Sequence, residues 1–297
     1  MIPARTRINI TPSWIAGGPR FGIPFDLTKG LTLGNLWMAK INYEIAKLSG
    51  GDFELQWQDK HAWNQSPFYQ ETFVEHGRTQ CLYAEDQMRA FGVIPDKVSY
   101  ETDTFDLTWK VWNRMPFSKY MGGQNYMIGI FPCKMLSTIA MNTTVMHPWW
   151  ITSMVVADMM SGRNCAVHGM DCVEGHSAYY LIAKHVQQAC SKKGTPFFPE
   201  APVTKLVSAP LLFKEDGTKI AGSDPVATNR FLVKNMIDAG LEPDRLWDFM
   251  ENKCFKGGLR YENLVMMEAQ QEIFMRSFNP DVIITNEEWD ALLDGKI

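Results

Sequence analysis

The residues of this chain best suited to chemistry lie in two short runs. One is Asp216-Gly217-Thr218-Lys219-Ile220-Ala221-Gly222-Ser223; the other, far upstream, is Gly30-Leu31-Thr32-Leu33-Gly34-Asn35. The chemistry they suit is the handling of a nucleotide's phosphates. The upstream run opens a helix, where a glycine lets a ligand approach the backbone and the first amide groups face an anion. The downstream run is a mobile-looking basic turn that reaches the phosphates from the other side, so that together the two make a two-sided ATP site. Singly, each run has a plainer reading: a turn into a helix, and a hairpin turn at Asp216-Gly217.

The elements that must position these runs follow from the apolar pattern. Leu36, Ala39, Tyr43 and Ala46 recur at helical spacing over 36–48, and Gly50-Gly51 stops that helix before the strand-like Asp52-Phe53-Glu54-Leu55-Gln56-Trp57. A second helix is expected from Tyr69 to Phe91, closed by Gly92 and followed by a short strand over Lys97–Tyr100. Residues 101–147 break the rhythm and read as an insertion. Alternation resumes with Trp150–Ala157, a strand at Cys165–His168, a helix over Ser177–Ala189 and a strand at Lys205–Ser208. After Pro225 the chain is expected to be helical to its end, with Leu264, Val265, Phe274, Met275 and Phe278 forming the apolar side of a late helix. The expectation is an α/β, doubly wound, parallel-sheet nucleotide-binding fold of Rossmann type, with a short connective insertion and a helical C-terminal tail. Its divisions are 1–100 (first half), 101–147 (insertion), 148–224 (second half with the basic loop) and 225–297 (helical C-terminal region).

Composition sets wider bounds. A length of 297 residues with 45% hydrophobic residues supplies a sizeable core, and a net charge of −4 gives no support for non-specific nucleic-acid binding. The six cysteines form no CxxC pair, which favours reduced, partly buried thiols in an intracellular, cytoplasmic setting over a zinc ribbon. Met1-Ile2-Pro3-Ala4-Arg5-Thr6-Arg7 lacks a signal-peptide core, and no apolar run approaches the ~20 residues that cross a bilayer, so no membrane partner is expected. His61, His76, His147, His176 and His185 show no ligand spacing, and no metal site is expected beyond the Mg²⁺ that ATP brings.

In their order along the chain, the two runs and the segments between them resemble the catalytic domain of class I aminoacyl-tRNA synthetases, of glutamyl/glutaminyl type, including short forms without an anticodon-binding domain. Gly30–Asn35 matches the Gly-x-His-x-Gly signature of that family, with Thr32 at the histidine position. Lys219–Ser223 stands where the family carries Lys-Met-Ser-Lys-Ser, after the same Asp-Gly lead-in, and Gly222 replaces the second lysine. Pro148–Asp171 matches the second-half segment without a gap, with Gly169-Met170-Asp171 at the family's Gly-x-Asp. Gly50–Asp59 follows its Gly-Gly-x-Phe strand, and Gly240–Leu246 its Gly-x-x-Pro-x-x-Leu segment. The likeness covers roughly residues 20–100 and 148–250.

The resemblance implies activation of a carboxylate by ATP, which forms an acyl-adenylate and pyrophosphate. Within that scheme Lys219 meets the phosphates as a point charge, Ser223 adds a neutral donor, and Thr32 donates a hydrogen bond without the charge of an imidazolium. Gly34 and Asn35 offer backbone amides, and Asp171 accepts from the ribose hydroxyls where Gly169 allows close approach. Loss of the second lysine predicts slower activation, or help from Mg²⁺ and another cation. Glutamate itself is a poor expectation, because Gln56-Trp57-Gln58-Asp59 and His168 stand where the glutamate-type enzymes carry arginines and a glutamate. Trp150 and His168 are expected to line a changed amino-acid pocket, and Asp59 either holds the substrate amino group or caps a turn. The acceptor is expected to be tRNA or another nucleic-acid end. The short insertion leaves open a small molecule, a protein or a modified base in its place, and a non-catalytic nucleotide-binding paralogue is the remaining alternative.

Overall fold

The structure is a computed structural model that describes residues 3–10, 30–57, 78–100, 103, 107, 157–158, 160–169, 205–220, 229–266 and 278–297. Five strands form its central sheet: β1 (Arg5–Ile10), β2 (Asp52–Trp57), β3 (Lys97–Tyr100), β4 (Cys165–Gly169) and β5 (Lys205–Ala209). Their spatial order is β3-β2-β1-β4-β5 and every neighbouring pair is parallel. The α/β, doubly wound sheet expected from the sequence is therefore what forms, and the winding reverses between β1 and β4. A strand ahead of the first run belongs to the expected fold, but the range of β1 was not assigned from the sequence. The polar residues Arg5, Arg7 and Asn9 of β1 alternate with Thr6, Ile8 and Ile10; Arg7 is buried and held by ion pairs with Glu54 and Asp158, whereas Arg5 and Asn9 are exposed.

Helix α1 (Leu33–Ser49) follows the first run and buries Leu33, Leu36, Trp37, Ala39, Ile41, Ile45 and Ala46. The double glycine ends it. Gly50 adopts the left-handed conformation (φ 71°), and the Gly50 and Gly51 amides donate back to the Lys47 and Ala46 carbonyls, a Schellman closure. Gly51 must also be glycine on packing grounds, because a Cβ there would fall 1.8 Å from the Ala4 carbonyl oxygen. The chain thus turns directly from α1 into β2 alongside the start of β1.

Helix α2 (Arg78–Ala90) is the described part of the helix expected from Tyr69, and it closes at Gly92 as expected. Beyond β5 come β6 (Leu211–Lys214), α3 (Val233–Asp238), α4 (Pro243–Cys254), α5 (Tyr261–Met266), β7 (Asp281–Ile284) and α6 (Asn286–Leu293). The tail is therefore not helical to its end. β7 pairs in parallel with β6 in a separate two-stranded sheet. Phe278, assigned from sequence to a helical stripe, instead bridges Phe255, and their rings stack at 4.7 Å. The C-terminal helices share the core of the first half: Trp37 of α1 packs against Trp247, Phe255 and Tyr261, and the Trp247 indole N–H donates to the Phe91 carbonyl at the end of α2 (3.0 Å).

Cys81, Cys165 and Cys254 are buried thiols. Among the described residues no helix is long and apolar enough to cross a membrane. The insertion 101–147 apart from Asp103 and Leu107, most of the segment 150–157, the helix expected at 177–189, and Phe274 and Met275 lie outside the described residues.

Candidate functional site

Open parallel sheets bind ligands beyond the carboxyl ends of their strands where the winding reverses, and an open cleft of about 200 Å³ lies there. Its described wall consists of Thr32, Gly34, Asn35, Trp37 and Met38 from the start of α1, Gly169 from the end of β4, Pro210–Leu212 after β5, and Lys219 and Ile220. Five residues predicted from sequence are thereby brought together: Thr32, Gly34, Asn35, Gly169 and Lys219. His168 precedes Gly169 on β4, is half-buried and is not part of that wall. Asp59, Trp150, Asp171 and Ser223 lie outside the described residues.

Lys219 reaches the cleft on a hairpin. β6 runs out from Leu211, the chain turns through Glu215-Asp216-Gly217, and it returns along β6. Lys214 donates to the Thr218 carbonyl (2.8 Å), Ile220 donates to that of Leu212 (2.8 Å), and Phe213 bridges Lys219. Asp216 tightens the turn by accepting the Thr218 amide at 2.8 Å, and that bond holds its carboxyl below the usual carboxylate range. The plainer hairpin reading of Asp216-Gly217 is therefore what forms, and that hairpin places Lys219 on the wall of the cleft. Through Ile220 the segment is a tied hairpin instead of the loose turn that its composition suggested.

The start of α1 meets this hairpin at Gly34. A Cβ on residue 34 would lie 2.9 Å from the Ile220 carbonyl oxygen, so the glycine serves the approach of the hairpin. Thr32 is the helix N-cap and is almost fully buried. Its hydroxyl oxygen accepts the Asn35 amide (3.4 Å), and the hydroxyl donates to the Asn35 Oδ1 (2.8 Å). The hydroxyl proton that the sequence offered to a phosphate is thus engaged within the cap, as is one of the two amides, that of Asn35. The first turn of α1 carries no acidic side chain of its own to offset the positive end of its dipole at the cleft.

The apolar wall was missed from sequence. Trp37 and Met38 read as ordinary helix positions, and Pro210-Leu211-Leu212 fell between two assigned elements. Its only signal was a proline directly after a strand. Gln56, which by the resemblance stands at an arginine position of the glutamate-type enzymes, is buried and donates to the Ser99 hydroxyl (3.3 Å). No group of three or more His, Cys, Asp or Glu side chains that could hold a metal ion occurs among the described residues.

No protein-family model matches the sequence, and no curated protein sequence matches it. Solved structures do. A glutamate-tRNA synthetase from Elizabethkingia anophelis is similar with a TM-score of 0.53 and 12% identity, over 98% of this chain and 70% of that one. A glutamate tRNA ligase from Elizabethkingia meningosepticum, solved in complex with its amino acid, is similar with a TM-score of 0.52 and 12% identity, over 98% and 69% of the two chains. The chain has the Rossmann-like fold of class I synthetases.

Proposed function

We propose that this chain activates an amino acid, or a related carboxylate, with ATP and passes the acyl group to tRNA or another nucleic-acid acceptor. The observation that carries this reading is that Lys219 and the amino end of α1, whose first turn has no acidic side chain, line one cleft at the sheet's switch point. A carboxylate oxygen attacks the α-phosphorus of ATP in line, the bond to the bridging oxygen of the β-phosphate breaks, and acyl-adenylate and pyrophosphate result. Negative charge develops on the leaving pyrophosphate, where Lys219 and the amide of Gly34, the one not engaged in the Thr32 cap, would offset it and lower the barrier. The acceptor's hydroxyl or amine then attacks the acyl carbon and AMP leaves.

In this reading Met38 and Pro210–Leu212 take the adenine ring, backed by the buried Trp37, Gly169 admits the ribose with Asp171 as its acceptor, and Ser223 contributes to the phosphates. Asp59, Trp150 and His168 face the amino acid. Mg²⁺ would arrive with ATP and offset phosphate charge. Burial of Gln56 against Ser99 argues for a substrate side chain other than glutamate.

The test is pyrophosphate exchange with Mg-ATP across a panel of amino acids, followed by charging of bulk tRNA. Exchange with one amino acid is the expected result, and Lys219→Ala should lower it by about a hundredfold or more. Exchange in the wild type that Lys219→Ala leaves unchanged would overturn the role given to the hairpin. Exchange without tRNA charging would favour the small-molecule, protein or modified-base acceptor. Silence across the panel, with nucleotide still bound, would favour the non-catalytic paralogue.

A further inference from the structure

A residue remote from both sequence runs holds the turn that starts α1. Leu31 sits between Gly30 and the cap residue Thr32, and both of its peptide groups are gripped. Its amide donates to Gln87 Oε1 of α2 (2.8 Å), and its carbonyl accepts the Val233 amide at the start of α3 (2.9 Å). Thr32 bridges Leu232 directly afterwards. Gln87 is itself buried, and its amide group packs on the face of Gly30, where a Cβ would come within 2.3 Å of Oε1 and 2.5 Å of Nε2. Gly30 has φ 65°, so the backbone there is turned into the left-handed region and its open side is filled by the glutamine. Two residues earlier on α2, Glu85 accepts the Trp57 indole N–H at the end of β2 (3.0 Å).

We infer that Gln87 is a positioning residue: by accepting the Leu31 amide it fixes where α1 begins, and through Thr32, Gly34 and Asn35 it sets the wall of the cleft that faces Lys219. This inference rests on the reading of the cleft as a nucleotide site. Gln87 itself does not line the cleft and is given no contact with the ligand. A buried amide that loses its acceptor must find another or move. Here the groups that would move are the ones that meet the hairpin at Gly34, so the effect should fall on the nucleotide and not on the carboxylate.

The experiment compares wild type, Gln87→Leu and Gln87→Glu in the full chain. Leucine keeps most of the volume and removes the acceptor, whereas glutamate keeps an acceptor oxygen. Gln87→Leu should raise the KM for ATP in pyrophosphate exchange by about tenfold with the KM for the carboxylate unchanged, and Gln87→Glu should recover most of that loss. Equal changes in both KM values, or no change in either, would overturn the inference. Hydrogen exchange gives a readout independent of activity: the Leu31 amide should lose protection in Gln87→Leu and regain it in Gln87→Glu, while the Leu55 amide, inside the β1–β2 pairing, stays protected. If the wild type neither exchanges pyrophosphate nor binds a non-hydrolysable Mg-ATP analogue, the functional reading fails. Hydrogen exchange then decides the role of Gln87 by itself, since unchanged protection of Leu31 would refute it.

Discussion

At residue 34 a methyl group would press to 2.9 Å from the Ile220 carbonyl oxygen, and neither side gives way easily. The start of α1 is fixed by the Thr32 cap, and Ile220 is tied by its amide to the Leu212 carbonyl. Crowding at such a tight contact costs on the order of 1–3 kcal/mol, and relief must separate the helix start from the hairpin that carries Lys219. Gly34→Ala should therefore remain folded by circular dichroism while its affinity for Mg-ATP falls about tenfold or more. An unchanged nucleotide affinity would show that the spacing across the cleft does not matter. Gly34, Gly169 and Lys219 were legible in the sequence because glycine and lysine do there what their chemistry allows anywhere: absence of a side chain, and a mobile charge. The cap role of Thr32 was not legible, because it depends on backbone dihedrals and on the partner three residues on. Gln87 was not legible either, since a buried glutamine in an amphipathic helix looks like an ordinary polar position until the turn it supports is seen.

Between elements, one carboxylate joins three. Asp96, in the turn before β3, accepts the Phe53 amide of β2 at 2.9 Å and pairs with Lys47 in the last turn of α1 at 2.9 Å. The Phe53 amide above all, and then Lys47, hold its carboxyl below the ordinary aspartate range, while the bond to Asp96 raises Lys47. A depressed carboxylate contributes stability that is complete above its unfolded pKa near 3.9 and is lost as pH falls through the folded value. Both side chains are more than one-third exposed, so the ion pair adds no more than ~1 kcal/mol. In urea titrations from pH 2 to 7, Asp96→Asn should be less stable than wild type above about pH 5, with the gap narrowing toward pH 2. A gap independent of pH would mean that the carboxylate's charge is irrelevant there. At this scale the sequence disclosed α1, its double-glycine stop, β2, α2, β3, β4 and β5, all of them elements with local periodicity or a local stop signal. It did not disclose β7. Asp281–Ile284 is four residues long and is a strand only because β6, far upstream in the chain, lies beside it.

Over the whole molecule the two halves of the sheet are joined by charge as well as by apolar packing. Thr6 donates to the Asn42 carbonyl of α1, and the Phe53 ring meets Tyr43 of the same helix, so Arg7 and Glu54, the alternate residues, face the other side of the sheet. There Glu54, with no exposure, binds Arg7 of β1 and Arg163 before β4; Arg7 also binds Asp158, and Arg163 donates to the Thr6 carbonyl at 2.8 Å. Lys97 approaches the same carboxylate from β3 at 3.3 Å, but its side chain is 62% exposed whereas that of Arg163 is 8% exposed. These exposures set the ranking. Removing the carboxylate leaves buried guanidinium groups without their shared partner, and Glu54→Ala should cost about 3–5 kcal/mol in urea unfolding. Lys97→Ala removes a solvated cation from the same carboxylate and should cost less than ~1 kcal/mol. Because β1, β2 and the segment leading into β4 all converge on Glu54, its loss should lower the unfolding midpoint of both halves in one transition, read by tryptophan fluorescence and far-ultraviolet circular dichroism together. Two separated transitions, or equal costs for the two variants, would show that the cluster does not hold the halves as one unit.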